Sequence, residues 1–171
     1  MKKKLVLGVV LAAILTTGTA FASPVHPSDS LGIGVLWGGS VDNGFHPGGV
    51  ALSLKMPSVP IFWGINARFS NNWTSIGVQG DVYLLGSYFV SDILGWFLGV
   101  GLYGNFGFNS DHSAIGFGAR LPVGLTFQPF HLLEVFFNLA PHVGAWVHSY
   151  HGFEMPVGGF FGAEIGVRLW F

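Results

Sequence analysis

The segment Gly158–Phe171, GGFFGAEIGVRLWF, constrains the fold more than any other part of the chain. Taken with a period of two, Phe161, Ala163, Ile165, Val167, Leu169 and Phe171 fall on one face. Gly162, Glu164, Gly166, Arg168 and Trp170 fall on the other. Successive side chains of a β-strand point to opposite faces, so one face suits hydrocarbon and the other a polar or tightly packed interior. A single such strand cannot satisfy its own backbone, so the pattern must recur and the strands must pair.

It recurs seven more times. Alternating segments are predicted at Leu31–Gly39, Gly49–Met56, Pro60–Phe69, Trp73–Leu85, Gly95–Phe108, Ala114–Phe127 and Leu132–Trp146. Half the residues are hydrophobic and only 9% are charged, yet no long apolar run follows the leader. Strands that give every second residue to lipid produce that composition. The expected fold is all-β, an eight-stranded antiparallel up-and-down transmembrane barrel over 31–171. Pro122 and Pro141 each remove a ladder donor, which marks either a bulge or a lateral gap in the wall.

The start of the chain sets the expected compartment. Lys2, Lys3 and Lys4 precede the apolar run Leu5–Leu15, and Ala20-Phe21-Ala22 supplies a small-x-small site. Residues 1–22 are therefore expected to be a cleaved signal peptide, since the apolar run is too short for a membrane span. Residues 23–30 (SPVHPSDS) form a short polar periplasmic lead-in, and the expected location is the cell outer membrane. The absence of cysteine excludes a disulfide framework. After the leader, four basic residues face eight acidic ones, which excludes the basic patch of a nucleic-acid binder.

All strand charges fall on the inward parity: Lys55, Arg68, Asp81, Arg120, Glu134, Glu164 and Arg168. A Lys or Arg on the lipid face at mid-depth costs about 2–4 kcal/mol, which accounts for the bias. Eight strands enclose a lumen just wide enough for side chains to fill it. The charges are thus expected to pair as a salt-bridge plug, or to form a gate in a narrow pore. Arg120, Glu134, Glu164 and Arg168 are expected in one network, and Lys55, Arg68 and Asp81 in a second.

Aromatic residues gather at strand ends. Trp37, Phe69, Trp73, Phe108 and Trp146 are expected at the outer interface, and Trp63, Trp96, Phe127 and Phe171 at the periplasmic one. The outer loops are expected at 40–48, 70–72, 109–113 and 147–157. The periplasmic segment Gly86–Leu94 is too long for a usual turn and is expected to hold a helical turn or extended strand. His148 and His151 could approach one another as weak metal ligands only if their loop turns sharply. His142 and Ser149 lie near each other, but neither a nucleophile elbow nor a phosphate-binding loop accompanies them, so no enzymatic activity and no cofactor are expected.

Gly118–Gly124 (GARLPVG), Leu133–Pro141 (LEVFFNLAP) and Ile165–Phe171 (IGVRLWF) resemble an uncharacterised family of small spirochaetal outer-membrane barrels. That family is compared with OmpW and with the membrane domain of OmpA. The resemblance implies a surface-exposed eight-stranded barrel. OmpW-like members imply a narrow channel for small or apolar solutes; OmpA-like members imply a structural role and host contact through outer loops. Phe171 resembles the terminal assembly signal of outer-membrane barrels, which implies the barrel assembly machinery and outer-membrane lipid as partners. No peptidoglycan-binding extension is expected after the last strand.

Overall fold

The computed structural model describes residues 25–27, 29–41, 45–70, 72–149, 152–154 and 160–171. The leader and His151 lie outside the described residues. So do the side chains of 40–48, 70 and 152–160.

Among the described residues, ten strands make eight staves. They are β1 (Gly32–Val41), β2 (Phe45–Lys55), β3 (Phe62–Ser70), β4 (Trp73–Val90), β5 (Leu94–Phe108), β6 (Ser113–Arg120), β7 (Val123–Phe130), β8 (Leu133–His148), β9 (Gly152–Glu154) and β10 (Phe160–Trp170). β6 and β7 are two halves of one stave, each paired to β5 and β8. The short β9 extends the hairpin beyond β8. Every stave is antiparallel to its neighbours, and β10 pairs with β1 from Gly32↔Trp170 to Ser40↔Gly162. Reciprocal bonds between Leu31 and Phe171, at 2.9 and 2.8 Å, fasten one end of that seam. Among the described residues the staves therefore close into a ring. The end holding Leu31 and Phe171 is called basal below, and the opposite end distal.

Alternation sets which side chains face out. Val35, Leu52, Ile65, Ile76, Leu102, Phe117, Leu125, Phe137 and Ile165 are all exposed on the outside, while their strand neighbours are buried or half-buried inside. Six of the seven inward charges are buried; Arg68 is exposed at the distal end. The aromatic belts follow parity less closely. Trp37, Phe69 and Phe108 stand outward. Trp146 instead lines the lumen, and the Trp73 ring packs over Gly107 on the lumen side.

Several boundaries differ from the sequence expectation. β4 does not stop at Leu85 but continues to Val90, because Ser91 and Asp92 (φ 28° and 58°) form a tight turn closed by Ile93 N donating to Val90 O at 2.8 Å. Both central residues have positive φ, the conformation that matches the twist of a two-residue hairpin. The register shifts between Tyr83 and Leu85, so Leu85 and Phe89 point out while Tyr88 points in. At the distal end, β1 and β2 extend through most of the expected 40–48 loop.

The proline break makes neither a bulge nor a gap. Arg120 faces Gly101 and Val123 faces Leu98, an unshifted register, and the same holds against β8. Leu121 N still donates to Pro141 O at 2.9 Å, and Gly99 N to Pro122 O at 2.8 Å. Each proline costs one ladder bond, on opposite sides of the same stave, and the wall stays shut.

Candidate functional site: a layered lumen

The lumen is built in three levels. The basal level centres on Glu134, which is 0% exposed. β8 and β10 pair in a register that sets Arg168 directly opposite it. Arg168 Nη1 donates to Glu134 Oε2 at 2.6 Å, and Trp170 Nε1 donates to the same oxygen at 3.0 Å. Thr126 Oγ1 donates to Oε1 at 2.9 Å. Arg168 also donates through Nε and Nη2 to Ser53 Oγ at 3.2 and 3.0 Å. Its guanidinium lies 4.8, 4.6 and 5.3 Å from the ring centres of Phe62, Phe136 and Trp170. The planar group is thus held by charge, hydrogen bonds and ring faces at once.

The fourth partner comes from the lead-in. His26 Nε2 lies 2.9 Å from Glu134 Oε1, and His26 is 7% exposed. Its ring packs against Phe62, Tyr83 and Phe97 at centroid distances of 5.0, 5.0 and 5.3 Å. Val25 beside it is fully buried, and its carbonyl accepts from Tyr88 Oη at 3.0 Å and Gln128 Nε2 at 3.1 Å. A Cβ on Gly95 would lie 2.8 Å from Val25 Cγ1, so glycine there makes room for it. The lead-in expected as a polar arm therefore turns into the basal mouth and stops it. The extended ends of β4 and β7 supply the partners, Tyr88 and Gln128.

The middle level is a second ion-paired layer. Arg120 Nη1 and Nη2 donate in parallel to Glu164 Oε1 and Oε2, both at 2.8 Å. Arg120 Nε pairs with Asp81 Oδ1 at 3.2 Å, and Nη1 also meets Gln79 Oε1. Gln79 Nε2 donates back to Glu164 at 3.2 Å.

The predicted partition of charges is thus corrected. Arg120, Glu134, Glu164 and Arg168 do not form one network. Glu164 and Arg168 are four residues apart on one strand, about 13 Å along it, so they lie in different levels. Asp81 belongs with Arg120 rather than with Lys55 and Arg68. Lys55 is buried near the base, 3.5 Å from the Ser30 carbonyl. Arg68 reaches neither layer.

The distal level is open. A cavity of about 280 Å³ has Arg120, Glu164 and Gln79 as its floor. Asn66, Arg68, Tyr103, Asn105, His142 and Trp146 stand in its wall. His142 and Trp146 were thus placed at the distal end by the sequence, but their shared cavity was not visible there. His148 stacks on Trp146 at 6.2 Å between ring centres. Among the described residues, no three His, Cys, Asp or Glu side chains come together as a metal site.

No protein-family model and no curated protein matches the chain. Among solved structures it is similar to the attachment invasion locus protein Ail of Yersinia pestis, at 13% identity and a TM-score of 0.20, over 83% of this chain and 97% of that one. At that level the similarity supports neither fold nor function, which rest on the strand pairing and the residues above.

Proposed function

We propose that this chain is an outer-membrane barrel protein with a structural and surface-contact role, its barrel a sealed body and its distal hairpins the contact surface. The observation that carries the reading is one combination: an apolar outer face around a closed ring, and a lumen crossed by two ion-paired layers and stopped by Val25 and His26. Among the described residues the exterior leaves no charged side chain toward lipid, and the two ion-paired layers and the lead-in lie across the interior. In this reading the basal end, where the lead-in enters, faces the periplasm and the distal end faces outward. Phe171, 67% exposed on the outer face of the last strand, is presented for the barrel assembly machinery. The lipid bilayer is the other partner, and the distal hairpins are the surface for a host or environmental ligand.

A second reading is a narrow OmpW-like channel. It is favoured by one observation, the distal cavity that reaches down to the Arg120–Glu164 pair. Its spirochaetal and OmpW-like affinities rest on the residues quoted above and not on the lumen, which is polar and plugged. Planar-bilayer conductance of folded protein separates the two. The sealed barrel is silent; steady single-channel steps altered by Arg120→Ala or Glu164→Ala replace it with the channel. The chain lacks cysteine, so Asp111→Cys labelled by an impermeant maleimide on intact cells reports whether the distal turns face outward.

A further inference from the structure

We infer that the distal cavity is a binding cup for a small hydroxylated carboxylate, a molecule of the size and chemistry of a sugar acid. Its volume, about 280 Å³, lies just below the roughly 300–1,000 Å³ that pockets for drug-sized ligands occupy, which suits a smaller molecule. The Arg68 guanidinium on the wall selects an anionic group. At the floor, Arg120 holds Glu164 through two parallel bonds of 2.8 Å and Asp81 at 3.2 Å, so both carboxylates are ion-paired beneath the occupant. On the wall, Arg68 has no ion pair among the described residues. A guanidinium offers paired donors that match a carboxylate.

A bare anion does not complete the site. Asn105 Oδ1 is buried in the cavity wall and has no hydrogen-bond donor. Buried acceptors are nearly always satisfied, so an occupant that brings a donor such as a hydroxyl fits this atom better than a bare anion does. Tyr103 and Trp146 add ring surface for the apolar face of such a molecule.

The space is also not a by-product of packing. Inward glycines elsewhere are forced: a Cβ on Gly34 would overlap the Val167 carbonyl, and one on Gly118 the Val143 carbonyl. At Gly162, in the cup, the nearest atom would be the Ala140 carbonyl oxygen at 3.4 Å, an ordinary contact. A larger residue could fill this space without a clash at the backbone.

The inference needs the folded barrel but not its location. The test is calorimetric titration of the detergent-folded full chain with glucuronate, glucose and acetate, each sample checked by its heat-dependent gel shift. Glucuronate binds. Glucose lacks the charge and acetate lacks the hydroxyls, so each is weaker by about tenfold or more, the loss of one charge-assisted or buried hydrogen bond. Arg68→Gln lowers glucuronate affinity by a similar factor of about ten, and Gly162→Leu abolishes binding. Asp111→Asn, on an exposed turn, leaves it unchanged. Folded protein that gives no heat with glucuronate overturns the cup while leaving the barrel intact. So does glucuronate binding that survives Gly162→Leu, or equal affinity for all three ligands. Wild-type protein with no gel shift overturns barrel and cup together.

Discussion

Replacing Glu134 by Gln removes one charge from the most enclosed site in the molecule while keeping nearly the same shape. Its cost can be worked from the contacts. The Oε1 side faces Thr126 and His26, and both can accept as well as donate, so the new amide nitrogen can sit there with its hydrogen bonds re-formed. The remaining oxygen still faces Arg168 and Trp170. What is lost is the negative charge opposite a guanidinium that is 2% exposed. Removing one partner of a buried pair costs about 3–5 kcal/mol. The three ring faces and Ser53 still hold the cation, and each ring contact is worth about 0.5–2 kcal/mol, so the lower end of that range, about 3 kcal/mol, is expected. The assay is urea unfolding of the barrel in lipid vesicles, followed by tryptophan fluorescence and the heat-dependent gel shift. Adding Arg168→Met to Glu134→Gln is expected to recover at least about 2 kcal/mol, because removing both charges leaves none unpaired. A Glu134→Gln loss within about 1 kcal/mol, the worth of an ordinary neutral hydrogen bond, would refute the view that this ion pair holds the basal level together.

Three further outcomes are expected. His26→Ala removes the histidine that joins the lead-in to Glu134, lowers urea stability by about 1.5–3 kcal/mol, and exposes the peptide bonds near Val25 to protease in folded barrels. Leu125→Arg places a cation at mid-height on the apolar face and costs about 2–4 kcal/mol of stability in bilayers; no loss there would remove the lipid-facing assignment. Gly34→Ala drives a methyl group into the β10 backbone and prevents the folded gel band, whereas Gly162→Ala leaves it in place.

Much of the fold was legible because side-chain parity in a strand is a local property. Ile115, Phe117, Leu121, Val123 and Leu125 announce an outward face whatever lies across from them, and the inward charges follow by exclusion. What depends on distant pairing was hidden. The height of Arg168 relative to Arg120 is a matter of the register of β8 against β6 and against β10, which alternation does not specify. The bulge at Leu84 reverses parity near the end of β4, so Tyr88 could not be assigned inward from its own neighbours. Ser91–Asp92 is a weaker turn signal than Asn-Gly, so the sequence left a helical turn and an extended strand as alternatives for Gly86–Leu94, and the structure shows the strand. His26 and Val25 sit in a short polar segment with two prolines nearby, where nothing local marks a buried plug. Its partner is 108 residues away. The cup was missed for a similar reason. Arg68, Asn105 and Trp146 lie on three staves, and only ring closure brings them around one space.

The account depends most on closure between the first and last staves, and a cysteine pair across that seam tests it directly. Val35 and Val167 are register partners on the outer face of β1 and β10. Their place in the ladder sets their Cα atoms about 5.5 Å apart, within disulfide reach. The chain has no cysteine of its own, so the pair Val35→Cys with Val167→Cys gives a clean readout. Oxidation of folded protein should link residues near opposite ends of the sequence and change its mobility on a boiled, non-reducing gel. Val35→Cys with Leu52→Cys, across the adjoining β1–β2 ladder, serves as the reference. If the reference pair links and the seam pair keeps two free thiols, the sheet is open, and the sealed lumen and the cup fall with it.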